Sequence, residues 1–433
     1  MSVIVVVSIL LLILLLVIGI PVPASFFAVV MYLVLAGHYD PSVLMPYSYS
    51  RLSSYVLLAI PLFVIAGGVI EKSGIGAHLV DFVNLLIGRV KGSLGIVAVA
   101  SCALFGSVTG SATATMTVIG SIMWPRMDAA GYNKGKSAAL IASCCLLGGL
   151  IPPSSLMIVY AWISQQSVIA CFLAIFLPGI MMTVMFSIAY YFMVRHDTGM
   201  DVMEKMPKDV YVARLKKTGI SFIPAAIFPF IILGGIYSGI MTPTESASVS
   251  LIYALLVGFL VYRSLSLKSL GPMLVSSAST IGVVMVMIFM VMMLSRIYIM
   301  ENLPDSMLDV INSVSQNRFV VLCLVNIFMI IVGMLMDDVS AMLLAVPLLL
   351  PIVDSVGVDR IHFAAIVAVN ISLGCVTPPC APLTYLAARL SNTPVAAMMK
   401  PTFFLILVVW LPALIIVTYV PQLSLFLPHM AGR

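Results

Sequence analysis

Apolar stretches of two kinds alternate with short polar breaks along this chain. Ten stretches read as membrane spans, near 2–20, 24–37, 55–71, 137–164, 168–193, 218–238, 245–262, 272–297, 363–390 and 402–421. Two others, 93–125 and 319–351, are interrupted midway by glycine and polar residues. Each half of these is about 15 residues, or ~22 Å at 1.5 Å per residue, short of a ~30 Å hydrocarbon core. They are expected to form re-entrant helical hairpins, because broken backbone at membrane depth is tolerated only where it is buried in protein or lines a wet cavity. Segments 75–90 and 301–316 place polar residues every three to four positions: His78, Asp81, Asn84 and Arg89, then Asp305, Asp309, Asn312 and Gln316. Both suit helices lying along the membrane surface, although plain connecting helices have the same pattern.

One set of landmarks occurs twice, 226 residues apart. Pro125, Gly131, Gly148 and Pro152-Pro153 recur as Pro351, Gly357, Gly374 and Pro378-Pro379, while Ala138, Ala139 and Ala142 recur as Ala364, Ala365 and Ala368. Each half then has three spans, a surface helix, a hairpin, an interrupted span and a final span. Five crossings is an odd number, so two tandem copies must have opposite orientation. The expected fold is an all-α polytopic membrane protein with an inverted-topology repeat, two re-entrant hairpins and two interrupted spans. The first repeat is 1–193, the basic loop 194–217, and the second repeat 218–433. Interrupted Gly/Pro segments in matching places of two halves point to a transporter's binding site.

Composition agrees. Hydrophobic residues make up 62% of the chain and charged residues 9%, against about 25% charged in soluble domains. Mean hydropathy is +1.20. The net charge of +5 gives no reason to expect nucleic acid, because Lys and Arg gather in a few loops. Arg195, Lys205, Lys208, Arg214, Lys216 and Lys217 share one loop, and Arg263 and Lys268 another two spans later. The positive-inside bias makes that side cytoplasmic. By counting crossings, Arg89, Lys91, Arg126, Lys134 and Lys136 are also inside, and 298–318, the loop 354–362 and both termini are outside. The apolar N-terminus lacks a preceding Lys or Arg and a small-residue cleavage site, and reads as a retained span. The seven cysteines lie in apolar stretches without zinc spacing and read as packing residues.

The candidate chemistry sits at the interruptions. The first hairpin turn, GSVTGSATAT from Gly106 to Thr115, is rich in hydroxyls; the second, GMLMDDVSA from Gly333 to Ala341, carries Asp337 and Asp338. A carboxylate at membrane depth is a functional-site hypothesis by default. The interrupted spans read GGLIPPSS at 148–155 and GCVTPPCAP at 374–382. Paired prolines remove backbone donors and free carbonyls. Carbonyls and hydroxyls suit a hard cation, and the following helix N-termini suit an anion. Each hairpin turn beside its unwound span could therefore make a cation site, with an anionic substrate between the two. Plainer readings compete: Ser and Thr bond their own backbone in membrane helices, Gly110 could merely permit close helix contact, and a Pro-Pro kink can be structural. Asp338 could face water or cap the following helix. Thr242-Pro243-Thr244-Glu245 reads as a capping box. Arg296 and Glu301, at a span end, read as snorkelling or pairing at the interface. No metalloprotease, serine-hydrolase or Walker A motif is present, so an ion gradient, not ATP held by this chain, is the expected energy source.

At these motifs the chain resembles the large membrane subunit of tripartite ATP-independent periplasmic (TRAP) transporters. The resemblance rests on IPLFVIAGGVI at 60–70, FGSVTGSATATMTVIGSIMWPRM at 105–127, GLIPPSSLMIVYA at 149–161, GIYSGIMTPTESA at 235–247, GMLMDDVSAMLLAVPLLLPI at 333–352 and NISLGCVTPPCAPL at 370–383. It implies sodium-driven import of an organic acid handed over by a periplasmic substrate-binding protein in the bacterial or archaeal cytoplasmic membrane. It also implies an elevator-type transporter fold: a transport domain near 92–164 and 319–398 sliding against a scaffold. A small four-span subunit, expected as a separate chain, adds to that scaffold. By motif position, sodium (Na+) would fall on Ser107, Thr109, Gly110, Gly148, Gly149 and Pro152 in one half and Gly333, Asp337, Gly374 and Thr377 in the other. The substrate would meet Ser111, Thr113, Ser154, Asp338, Ser340 and Cys380. The family often has Thr-Thr-Pro after the aspartate matched to Asp337, where this chain has Asp338-Val339-Ser340. It also lacks the glycine common after the second Pro-Pro, having Cys380-Ala381-Pro382. A stand-alone ion-coupled carboxylate carrier is the near alternative. A channel fits two inverted hairpins meeting midway less well, and an intramembrane enzyme lacks its motif.

Overall fold

The computed structural model describes residues 3–87, 92–197, 207–378 and 380–432; Arg89, Lys91, Lys205 and Pro379 lie outside them. All regular elements among the described residues are helical. The expected spans occur as Val3–Ile18, Val22–Gly37, Ala59–Lys72, Val168–Val194, Lys208–Tyr237, Leu267–Met300 and two helices with π-helical turns, one over 243–261 and one over 395–419. Several are apolar on every side. The outward sides keep large hydrophobics exposed, Phe230 at 76% and Val275 at 71%, as expected where lipid replaces water.

The hairpins form as helix–turn–helix pairs: Ser93–Thr109 with Ala112–Ala129, and Arg318–Leu335 with Asp338–Ser355. Their arms have 17 or 18 residues, about 26 Å at 1.5 Å per residue. They are thus longer than the sequence pattern suggests, and length alone does not separate them from spans. Pro125 and Pro351 lie inside the second arms and do not end them.

Each interrupted span is broken at its prolines. The first runs Lys134–Cys144, Leu147–Leu150 and, after a 48° bend, Ser155–Ser164. The second runs Arg360–Val376, then Pro382–Leu390. Residues 137–154 and 362–376 are buried without interruption. A helix hydrophobic all round belongs in the core, and the two broken spans form the centre of the molecule. Tyr160 in the first donates to Arg360 O at the start of the second (2.5 Å), so the halves pack together there.

Ala59–Lys72 turns by 65° into helix Ile75–Ile87, with Gly74 at φ +77 in the bend. Its counterpart is Leu303–Val314. Asp81 on helix Ile75–Ile87 pairs with Arg126 at the base of the first hairpin (2.8 Å).

Other expectations change. The basic loop 194–217 is shorter, because helix Lys208–Tyr237 begins inside it and carries Arg214, Lys216 and Lys217. His362 belongs to no outer loop: Asp359 caps helix Arg360–Val376, and His362 is fully buried in its first turn, Nε2 2.8 Å from Val417 O. Two short helices, Pro41–Leu52 and Gln422–Met430, are additional. The Thr242–Glu245 capping box forms as read, with Glu245 Oε2 2.7 Å from Thr242 N. Arg296 and Glu301 both contact tyrosines: Arg296 lies over the Tyr47 ring, and Glu301 accepts from the Tyr39 hydroxyl.

Candidate ion and substrate site

In the first half, the hairpin tip rests on the break of the interrupted span. Gly110 ends the first arm at φ +62, with its N–H bonded to Gly106 O (2.8 Å). Only a residue without Cβ adopts this backbone at no steric cost. A Cβ here would also lie 2.7 Å from Pro153 O. Gly110 O accepts from Ser155 Oγ (3.0 Å) and Ser155 N (3.4 Å). One turn back, Gly106 crosses Gly148: a Cβ on Gly106 would stand 2.2 Å from Gly148 Cα, and one on Gly148 2.6 Å from Thr115 Oγ1.

Hydroxyls line this crossing. Thr109 Oγ1 lies 3.3 Å from Thr115 Oγ1 and 3.2 Å from Phe105 O, while Thr115 Oγ1 donates to Ser111 O (2.7 Å). Ser107 donates back to Leu104 O (2.7 Å). Ser111 caps the second arm and touches Thr113, which is exposed. In the break, Pro152 and Pro153 carry no N–H for Gly148 O and Gly149 O, their partners in a continuous helix. Ser154 Oγ donates to Gly149 O (2.6 Å) and caps the next helix by accepting from Met157 N. A Cβ on Gly149 would meet nothing within 4 Å.

The second half repeats the plan with a carboxylate. Asp337 caps the second arm: Ser340 N donates to Oδ2 (3.3 Å) and the Ser340 hydroxyl to Oδ1. Asp338 occupies the first turn, accepts from Val339 N (3.0 Å) and is not the cap. Both carboxylates are half-buried. Gly333 and Gly374 cross as Gly106 and Gly148 do, a Cβ on Gly374 standing 2.6 Å from Gly333 Cα. Thr377 ends helix Arg360–Val376 and bonds its own backbone at Leu373 O (2.6 Å). Cys380 is half-exposed in the break. Asp338 lies within electrostatic reach of Cys145 in the first interrupted span and of Cys375 in the second.

The sequence-predicted residues therefore fall into two clusters. Gly110 and Gly148 come together with Thr109, and Gly333 with Gly374, whereas Ser107 and Thr377 are engaged by their own helices. Thr115 and Ser155 belong to the first cluster and are not among the site residues expected from the sequence. Their signals were the hydroxyl run at the tip and the second serine after the prolines. Among the described residues, no three His, Cys, Asp or Glu side chains gather as a metal site. The available ligands are backbone carbonyls, hydroxyls and one or two carboxylates, the hard oxygen set that suits sodium better than a transition metal.

Residues 9–423 match the model of the tripartite ATP-independent periplasmic transporter, DctM component. The chain belongs to this family. It is a TRAP large permease, a multi-pass transporter subunit of the inner membrane and not an enzyme. It is 32% identical over 380 residues to the C4-dicarboxylate TRAP transporter large permease protein DctM of Pseudomonas aeruginosa, covering 87% of each chain. It is 31% identical over 413 residues to the sialic acid large permease protein SiaM of Vibrio cholerae, covering 95% of each. The ectoine/5-hydroxyectoine large permease protein UehC of Ruegeria pomeroyi is 32% identical over 378 residues, covering 87% of this chain and 86% of that protein. Among solved structures, the YdaH transporter of Alcanivorax borkumensis shares the fold at a TM-score of 0.59 and 14% identity, over 89% of this chain and 91% of that one. TRAP large permeases work with a small membrane subunit and a periplasmic binding protein, and this permease imports solute in such a system.

Proposed function

We propose that this permease imports an organic anion, such as a C4-dicarboxylate or a sugar acid, driven by an inward sodium gradient. The substrate is delivered by a periplasmic binding protein. The observation that carries the reading is the duplicated glycine crossing, Gly106 on Gly148 and Gly333 on Gly374, each beside a proline break and a capped hairpin tip. Carbonyls released at the breaks, with Thr109 in one half and Asp337 in the other, supply oxygen ligands for a cation. A cation held there ties each tip to its broken span. The helix N-termini at Ser111 and Ser154 then present N–H groups to an anion between the halves.

In this reading the hairpins are re-entrant from opposite faces, both termini are periplasmic, and transport is an elevator movement. The packing supports a larger moving unit than 92–164 with 319–398. Val168–Val194 packs on both the first hairpin and the second broken span, and the 395–419 helix packs on both broken spans. In this reading these final spans travel with the hairpins, while the earlier spans and the small subunit form the fixed frame.

The test is uptake of radiolabelled organic acids into proteoliposomes holding the permease and its small subunit, with sodium gradient and binding protein each added or omitted. Uptake that needs both supports the proposal. Uptake without the binding protein replaces it with a stand-alone carrier, and uptake without sodium removes the ion assignment.

A further inference from the structure

A polar cavity lies away from the glycine crossings. It has a volume of about 360 Å³ and is bounded by Ser50, Arg51 and Ser54 on one side and by Trp162, Gln165 and Gln166 on the other. The first side is the end of helix Pro41–Leu52 and the turn that follows, before the span Ala59–Lys72. The second is the end of the first broken span and its turn into Val168–Val194. In the orientation proposed above, this cavity opens on the periplasmic side, between the frame and the moving unit.

Among the described residues, Arg51 is its only charged lining residue and has no ion pair. Its guanidinium lies 5.4 Å from the centre of the Tyr47 ring, and that of Arg296 lies 5.3 Å from the same centre. Two cations on one ring, with no carboxylate in the cavity wall, give a locally positive surface. Stacking on an aromatic face leaves guanidinium N–H groups free at the edge, where a carboxylate accepts two of them. On the opposing helix end, Gln165 Nε2 donates to Trp162 O (2.7 Å) and Gln166 Nε2 to Ser164 O (3.4 Å). The volume falls in the ~300–1,000 Å³ range of small-molecule sites.

We infer that this cavity is an entry subsite for the carboxylate or sulfonate group of the solute, with Arg51 as its anchor, occupied before the central site. It rests on the organic-anion reading and the orientation proposed above. An anion received here lies against both the frame and the moving unit, so sliding of the unit would open the subsite and release its occupant.

Trp162 in the wall provides a direct readout. The permease with its small subunit is placed in phosphatidylcholine nanodiscs and titrated with succinate, N-acetylneuraminate and isethionate while tryptophan emission is followed. At least one acid is expected to shift the emission saturably. The shift should vanish in Trp162→Phe, weaken roughly tenfold or more in apparent Kd in Arg51→Gln, and be partly restored in Arg51→Lys, which keeps the charge but not the fork. No saturable shift with any of the three acids, or an unchanged Kd in Arg51→Gln, overturns the inference. A shift produced by phosphatidylglycerol nanodiscs alone, with no response to the acids, overturns it in favour of a lipid headgroup. If the acids bind as expected but wild-type proteoliposomes take up none of them, the subsite stands and the transport reading fails.

Discussion

Gly374 and Gly333 meet backbone to backbone: a Cβ on Gly374 would lie 2.5 Å from the carbonyl carbon of Gly333. Neither main chain can give way without displacing a buried helix. Gly374→Ala should therefore cost ~1–3 kcal/mol, the usual range for overpacking. It should also part the second hairpin from its broken span, so uptake should fall further than carrier abundance does. Melting temperature in detergent, compared with uptake per folded carrier, checks this. Wild-type uptake in Gly374→Ala would show that the crossing does not set the site.

The matching substitution in the first half is Gly148→Ala, where a Cβ would stand 2.6 Å from Thr115 Oγ1 and 3.0 Å from Ser111 O. A side chain can rotate where backbone cannot, so the stability loss should be smaller than for Gly374→Ala. The hydroxyl pair Thr109–Thr115 would still be disturbed, and the sodium concentration for half-maximal uptake should rise. An unchanged sodium dependence would remove these hydroxyls from the ion assignment.

Asp337 has two roles that a single substitution confuses. It caps the second arm of its hairpin, and in the proposal it is a sodium ligand. Losing a cap costs typically ~1 kcal/mol, so Asp337→Ala should lower both stability and uptake. Asp337→Asn keeps a capping oxygen but removes the charge. It should melt near the wild-type temperature while losing most sodium-driven uptake. Near wild-type uptake in the Asn variant would reduce Asp337 to a cap.

Much of this architecture is legible in the sequence because it is written in residues with few conformational options. Glycine and proline mark Gly110, Gly148, Pro152 and Gly374 as special backbone positions, and the 226-residue offset pairs most of them. The offset pairs Gly148 with Gly374 but not the glycines they cross: Gly106 matches Gly333 at 227. Gly106 stands five residues before its cap Ser111, and Gly333 four before Asp337. Only the packed helices reveal that one-residue difference. Helix Pro41–Leu52 is hidden for another reason. Its sequence, PSVLMPYSYSRL, has a mean hydropathy too low for a span and prolines at two positions, yet Asp40 caps it and Leu44 and Ser48 bury one face. The burial of His362 depends on Val417, 55 residues away, and no local pattern could signal it.

That buried histidine bears on the coupling ion. In the outer loop 354–362, where the sequence pattern places it, His362 would have no bearing on proton coupling. His362 instead lies buried in the first turn of helix Arg360–Val376, and its contacts decide what it can do. Nε2 is held against Val417 O, between the second broken span and the final span, whereas the glycine crossings belong to the hairpins and the broken-span interruptions. A packing role predicts that His362→Asn loses stability, since a buried carbonyl partner is disturbed, but keeps the wild-type dependence on sodium and shows no uptake driven by a pH gradient alone. Proteoliposomes with sodium replaced by choline and an imposed acid-outside gradient provide the measurement. Wild-type permease that accumulates substrate under those conditions, with accumulation abolished in His362→Asn, would make His362 part of a proton path and displace sodium from the coupling scheme.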